Sequence, residues 1–86
     1  MIKIDSNLRD IVISAFRYAL SRKTYIVVQT ITFIKVNSRM VDNRMKTVLT
    51  NDLHEYLKEM ESEPNYKTDI DYKSWLEFYE WLKANC

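Results

Sequence analysis

Glycine is absent from this chain of 86 residues, and proline and cysteine occur only once each. Phosphate-binding loops, dinucleotide-binding fingerprints, nucleophile elbows and calcium-binding loops all need glycine where the backbone turns sharply or approaches a ligand. The absence of glycine therefore excludes the enzymes and nucleotide-binding proteins that are built on those loops.

The single cysteine, Cys86, and the single histidine, His54, restrict the chemistry further. One cysteine forms no internal disulfide, which argues for a reducing compartment and against a disulfide-stapled secreted domain. Cys86 is the last residue, where it is poorly held for nucleophilic catalysis with His54. We expect His54 to face solvent, because it lies off the apolar stripe of its predicted helix, beside Glu55 and Lys58. A metal site would need a Glu four residues further on and a second His or Cys at ligand spacing, and these are missing. We predict that the chain is not an enzyme and has no metal site or cofactor.

Apolar runs long enough to cross a membrane are also missing. The longest apolar-rich stretch, residues 25–34, is interrupted by Gln29, Thr30 and Thr32, and a membrane-spanning helix needs about 20 apolar residues. The first residues lead into polar capping residues and not into the apolar segment of a signal peptide. We therefore expect a cytoplasmic protein with no membrane partner.

Apolar residues make up 47% of the chain, which is enough for one core without disulfides. They recur at helical spacing in four segments and predict a single all-α domain over residues 1–86. We place helices at residues 7–21, 25–35 and 41–60, and a last helix from residue 71. We expect Asn37 and Ser38 to cap the third helix and Asp71 to cap the fourth.

The spacing also predicts which face of each helix is buried. In the first helix these residues are Leu8, Ile11, Val12, Ala15, Phe16 and Ala19. In the third they are Val41, Met45, Val48, Leu49, Leu53, Tyr56, Leu57 and Met60. In the last they are Tyr72, Trp75, Leu76, Tyr79 and Leu82. Phe78 and Trp81 fall on a neighbouring face of the last helix, which is either buried from a second side or exposed for a partner.

The second segment is ambiguous, because its β-branched and aromatic residues favour a strand. Val27, Ile31 and Ile34 fall at helical spacing, and we therefore predict a helix. The fold is then a small four-helix domain with an N-terminal antiparallel helix hairpin. The alternative is an α+β domain in which residues 2–4 and 25–34 form a small ribbon.

Charge is unevenly distributed along the chain, although the net charge is only +1. Residues 1–50 carry nine Lys and Arg against three Asp and Glu, and residues 51–86 carry four against nine. Such asymmetry produces a basic face for nucleic acid or an acidic protein, or it lets the two halves attract each other. The sequence leaves both interpretations open.

Residues 17–25, which read RYALSRKTY, close the first predicted helix and open the second. They resemble a signature, Arg-Tyr-Ala-Leu-Gly-Arg-x-Thr-Tyr, of small uncharacterised proteins encoded by prophages and mobile elements of low-GC Gram-positive bacteria. The chain departs from this signature at Ser21, where those proteins more often have glycine. Weaker likenesses are an Asn-Asp-Leu-His-Glu-Tyr segment at residues 51–56 and a Lys-x-Trp-Leu segment at residues 73–76.

The resemblance, the small size and the missing catalytic residues lead to a functional hypothesis. We expect a non-enzymatic phage or mobile-element protein that binds and modulates a host or defence protein, for example as an anti-CRISPR-type inhibitor in the bacterial cytoplasm. The alternative is a small nucleic-acid-binding accessory protein or regulator that uses the basic first half. Formation of a homo-oligomer stays open. The predicted partner-binding residues are Arg17, Tyr18, Arg22, Lys23, Tyr25 and Trp81.

Overall fold

The computed structural model describes residues 6–21 and 26–85, which form four α-helices and two short 3₁₀ turns. The helices are α1 (Ser6–Leu20), α2 (Ile26–Val36), α3 (Asn43–Met60) and α4 (Ile70–Asn85). One 3₁₀ turn, Ser38–Met40, precedes α3, and the other, Tyr66–Thr68, precedes α4. The described residues include no strand, and the prediction of a small all-α domain is confirmed.

The ambiguous second segment is helical. Val27, Ile31 and Ile34 are buried on one face of α2, as their spacing predicted. The ribbon alternative is wrong for residues 26–34, while residues 2–4 and 25 lie outside the described part of the chain. α1 packs against α2, which is compatible with the predicted hairpin; its connection at residues 22–25 is not described.

Aspartate side chains cap the starts of α3 and α4. Asp42 accepts a hydrogen bond of 2.9 Å, and Asp69 one of 3.1 Å, each from a backbone N–H in the first turn of its helix. These bonds satisfy amides that a helix start leaves without a partner. The predicted caps were wrong, because a 3₁₀ turn separates Asn37 and Ser38 from α3 and because Asp71 already lies inside α4.

All four helices contribute to one core, whose centre is aromatic. Phe16 meets Trp75 edge-on, with ring centroids 5.4 Å apart, and Phe78 lies 6.1 Å from Trp75. Full burial of a large apolar side chain contributes roughly 1.5–3 kcal/mol to folding. The largest fully buried side chains are those of Trp75, Phe16, Phe78, Ile34, Met40, Met45, Leu49, Leu53, Leu82 and Val27.

The burial of Phe78 decides between the two interpretations of the neighbouring face of α4, which at Phe78 is buried from a second side. Phe78 is fully buried because α4 packs against both α3 and α2, and two neighbouring faces of the helix are therefore covered. The period of one amphipathic helix indicates only one such face. Leu76 and Tyr79, which were predicted to face inward, are only partly buried.

The buried stripe of α1 is rotated relative to the prediction. Val12, Phe16 and Ala19 are buried, whereas Ile11 and Ala15 are exposed. Phe16 packs into the aromatic centre of the core, and this rotation carries Ile11 and Ala15 to the surface. The prediction that Ile11 and Ala15 are buried is wrong, and their exposure creates the surface described next.

Candidate interaction surface

The exposed sides of α1 and α2 carry large apolar side chains. Ile11 is 65% exposed, Val28 58%, Phe33 46% and Val36 76%. Exposed Ala15, Gln29 and Thr32 lie among them. We call these seven residues the α1/α2 face.

Two grooves run along this face. One, of about 280 Å³, lies between the helices and is lined by Leu8, Ile11, Val12, Ala15, Gln29, Thr30 and Phe33. The other follows the outer side of α2 and is lined by Val28, Gln29, Thr32, Phe33, Val36 and Asn37. No charged residue lines either groove within the described part of the chain. The α1/α2 face is thus both apolar and uncharged.

The lack of charge follows from the sequence of α2. Among its eleven residues only Lys35 is charged, and apolar residues occur on all sides of the helix. A helix that is apolar all round is usually buried on all sides. In the described residues α2 is covered by α1 and α4 but not on its outer side. The sequence signal for this face was present, although periodicity alone treats α2 as an ordinary one-sided helix.

Asp10 and Lys35 border the α1/α2 face on opposite edges. Asp10 is exposed on α1 and lines a separate groove with Arg9 and Arg17, on the side of α1 that faces α3. Lys35 lies on the α4 side of α2, with its Nζ 5.9 Å from the ring centroid of Trp81. One edge is therefore bordered by an acidic residue and the other by a basic residue.

Three of the predicted partner-binding residues lie in the described part of the chain. Tyr18 is exposed on α1. Arg17 is exposed and donates a hydrogen bond of 2.8 Å to the carboxylate of Asp52 on α3. Trp81 is partly buried and stacks on Phe78 at 5.9 Å. Arg17 and Trp81 are thus held by different helices and do not form one cluster.

The other three predicted partner-binding residues, Arg22, Lys23 and Tyr25, lie outside the described residues. Leu20, at the end of α1, is only partly buried. It lines a groove with Tyr56 and Met60 at the end of α1. Leu20, within the signature segment, therefore borders α3 and not the α1/α2 face.

The contact between Arg17 and Asp52 bears on the uneven charge distribution. It joins the basic first part of the chain to the acidic second part at 2.8 Å. A second pair, Arg9 with Asp42 at 3.5 Å, lies within the first part, where Arg9 also donates to the backbone oxygen of Met40 at 3.0 Å. Two of the arginines are therefore engaged by the protein's own groups.

Two tyrosine hydroxyls beside α4 have raised pKa values. Burial, followed by the charges of Asp69 and Asp71, raises the pKa of Tyr56 to about 12. Burial and the hydrogen bond of 2.9 Å that Tyr72 donates to Glu61 raise the pKa of Tyr72 above its usual value. Both hydroxyls therefore stay protonated at neutral pH, and that of Tyr72 donates its hydrogen bond to Glu61.

The described residues form neither a metal-binding cluster nor a membrane-spanning helix. His54 is exposed on α3, and across residues 6–21 and 26–85 no group of three or more His, Cys, Asp or Glu side chains is placed to hold a metal ion. In the same part of the chain, none of the helices combines the length and the apolar character needed to cross a bilayer.

Comparison with known proteins does not extend the description. No protein-family model, no curated protein and no solved structure matches this chain.

Proposed function

We propose that this chain is a non-enzymatic binding protein of the phage or mobile-element type, which modulates a host or defence protein by covering part of its surface. An anti-CRISPR-type inhibitor is an example of this class. The observation that supports the proposal is the α1/α2 face, because binding to another protein removes exposed apolar side chains from water.

The composition of the face matches that of a protein interface. The buried centre of an interface is depleted in charged residues and enriched in apolar and aromatic ones. Phe33 and Ile11 supply the large side chains, and the groove between the helices supplies a concave site for a partner's side chains. Elsewhere the exposed side of α3 carries charges such as Glu55, Lys58 and Glu59, which favour contact with water.

A nucleic-acid-binding role has less support. Phosphate binding requires available Lys or Arg side chains, and two arginines of the first half, Arg9 and Arg17, contact Asp42 and Asp52. Arg39 and Arg44 are exposed. The α1/α2 face itself offers no cation to a phosphate. Protein binding is therefore the function that we retain.

The test is affinity capture from a lysate of a Gram-positive host, followed by binding measurements with the purified target. Ile11→Lys places a charge within the face and should weaken binding at least tenfold, because a buried unpaired charge is unfavourable. Ile70→Lys is the matched control, since Ile70 is 77% exposed on α4, outside the face. It should leave binding unchanged.

The two variants also separate a binding defect from a folding defect. Both replace an exposed isoleucine in a helix, so both should keep the helical circular dichroism and the urea midpoint of the unmodified protein. Equal binding by the Ile11→Lys variant and the unmodified protein would refute a role for the face. A turnover activity without a stable partner would refute the proposed function as a whole.

A further inference from the structure

We infer that, in the absence of a target, the α1/α2 face is occupied by a second copy of this chain. The inference rests on the proposed function in one respect, namely that the face binds protein. It adds the identity of the occupant and the geometry of the contact. The pairing is a two-fold dimer in which α1 of one copy lies over α2 of the other.

The area of the face is sufficient for such a dimer. The side chains of Ile11, Val28, Phe33 and Val36 are between 46% and 76% exposed. A large apolar residue exposes roughly 150–250 Å², so these four together present roughly 400–500 Å² of surface. A standard interface buries about 800 Å² on each partner, of which a little more than half is apolar. Ala15, Gln29 and Thr32 supply part of the remainder.

The charges at the edges select the second copy over an unrelated apolar surface. Asp10 borders the α1 edge and Lys35 borders the α2 edge, and the residues between them are uncharged. A two-fold axis parallel to the helices exchanges the two edges. Asp10 of each copy then faces the partner's Lys35, and the face is complementary to itself.

The two charges also lie at similar heights along the helices. The Arg9 side chain reaches the backbone oxygen of Met40, four residues beyond the end of α2. The start of α1 is therefore close to the end of α2, so that Asp10 and Lys35 are near the same end of the helix pair. Rotation about an axis parallel to the helices preserves this height, and both charge pairs form together.

Self-association has a consequence for binding. The dimer keeps the apolar face out of water when no target is present, and a target must compete with the second copy for the same residues. The fraction of copies that are free to bind a target therefore falls as the protein concentration rises into the range in which the chain dimerises, and the apparent affinity per copy falls with it.

The dimer is tested by sedimentation equilibrium of the full chain, from about 1 μM to about 500 μM in low salt, against the monomer mass of 10.4 kDa. Phe33→Glu should weaken dimerisation at least a hundredfold, because the two-fold axis buries the new charge twice. Ile70→Glu, outside the face, should have no effect. Circular dichroism of both variants verifies that they are folded.

Reversal of the charges at Asp10 and Lys35 tests whether these two residues face each other in the dimer. Asp10→Lys and Lys35→Asp should each weaken the dimer about tenfold, since each places like charges together at two symmetric positions. The double variant restores opposite charges and should return the dissociation constant to within about threefold of the original. Failure of this rescue would overturn the proposed pairing.

The outcomes distinguish this inference from the proposed function. A protein that stays monomeric over the whole range, or a dimer that is insensitive to Phe33→Glu, overturns the second copy as occupant. If Phe33→Glu nevertheless abolishes target capture, the proposed function stands without the dimer. If the dimer behaves as expected and target capture does not change in any face variant, the proposed function fails alone.

Discussion

The α3/α4 half and the α1/α2 half of this protein use their apolar residues differently. In α3 and α4 the largest apolar side chains, such as Trp75, Phe78 and Leu53, are fully buried. In α1 and α2, Ile11 and Val36 are mostly exposed although neighbours on the same helices are buried. The α3/α4 half leaves one large apolar residue mostly exposed, Ile70 at the start of α4, whereas the α1/α2 half groups several of them on one face.

The difference is also visible in charge. The eighteen residues of α3 include charged side chains of both signs on the exposed side, whereas α2 has one charged residue in eleven. A charged exterior keeps a helix surface hydrated, and an uncharged one does not. Under the proposed function, the apolar exposure of α2 serves binding, since stability alone would favour polar residues at those positions.

The largest expected effect concerns the core of the α3/α4 half. Trp75→Ala should lower the free energy of unfolding by about 3–5 kcal/mol, because it removes the ring at the centre of the aromatic cluster and leaves a cavity. Phe33→Ala, in the α1/α2 face, should lower it by only about 1–2 kcal/mol, since nearly half of that residue is already exposed. Urea unfolding followed by circular dichroism measures both values.

A matched core substitution makes this comparison sharper. Phe16→Ala removes a fully buried ring from α1 and should also lower the free energy of unfolding by about 3–5 kcal/mol. The loss in free energy of unfolding would then depend on how deeply the ring is buried and not on which half of the protein contains it. If Phe33→Ala were as damaging as Trp75→Ala, the α1/α2 face would be part of the folding core and the contrast would be wrong.

A smaller effect is expected at the start of α4. Asp69→Ala should lower the free energy of unfolding by about 0.5–2 kcal/mol, because an amide in the first turn loses its hydrogen-bond acceptor. Asp69→Asn keeps an acceptor and should lose only a fraction of that amount. The urea midpoints of the two variants provide the measurement. Equal losses would mean that the charge of Asp69, and not its capping bond, stabilises α4.

Hydrophobic period predicted the number of helices and most of the core. Leu49, Leu53 and Leu57 of α3 are buried as expected, because a long helix covered on one side produces a regular pattern. The same rule left two interpretations open for Phe78 and was wrong for Ile11, because it does not reveal how many sides of a helix are covered or how far it is rotated. These depend on neighbouring helices that are distant in sequence.

The candidate site was harder to predict than the fold. The basic and aromatic residues of the signature segment led to the prediction of Arg17 and Tyr18 as partner-binding residues. The broad apolar surface lies instead on the outer side of α2. Its sequence signal is the scarcity of charge in α2, which by itself is equally typical of a fully buried helix. Only the packing of α2 against α1 and α4 shows which side stays exposed.

Alkaline pH should affect the α3/α4 half through Tyr56. Its pKa is raised from 10.0 to about 12 in the folded protein, so folding is favoured by the neutral hydroxyl. This stabilising contribution is complete below about pH 10 and is lost as pH rises from about 10 to about 12. Tyr56→Phe should therefore reduce the fall in the urea midpoint over that range.

Tyr72 acts in the same direction, because its pKa is also raised. The Tyr56→Phe variant should accordingly retain part of the alkaline destabilisation, and a double change with Tyr72→Phe should remove more of it. Tyr18→Phe, on the exposed side of α1, serves as the control. If the urea midpoint of the Tyr56→Phe variant fell as much between about pH 10 and 12 as that of the unmodified protein, ionisation of Tyr56 would not contribute to the alkaline loss of stability.

The smallest expected effect concerns the ion pair that links the two halves. Arg17 on α1 contacts Asp52 on α3 at 2.8 Å, and the arginine side chain is exposed. Exposed pairs of this kind contribute about 0.2–1 kcal/mol, and salt weakens them. A double-mutant cycle with Arg17→Ala and Asp52→Ala should therefore give a coupling free energy in that range, and raising the salt concentration should lower it. A coupling well above about 1 kcal/mol would mean that the pair fixes α1 on α3. Arg17 would then be a structural residue of the four-helix domain and would no longer be a candidate for contact with a partner.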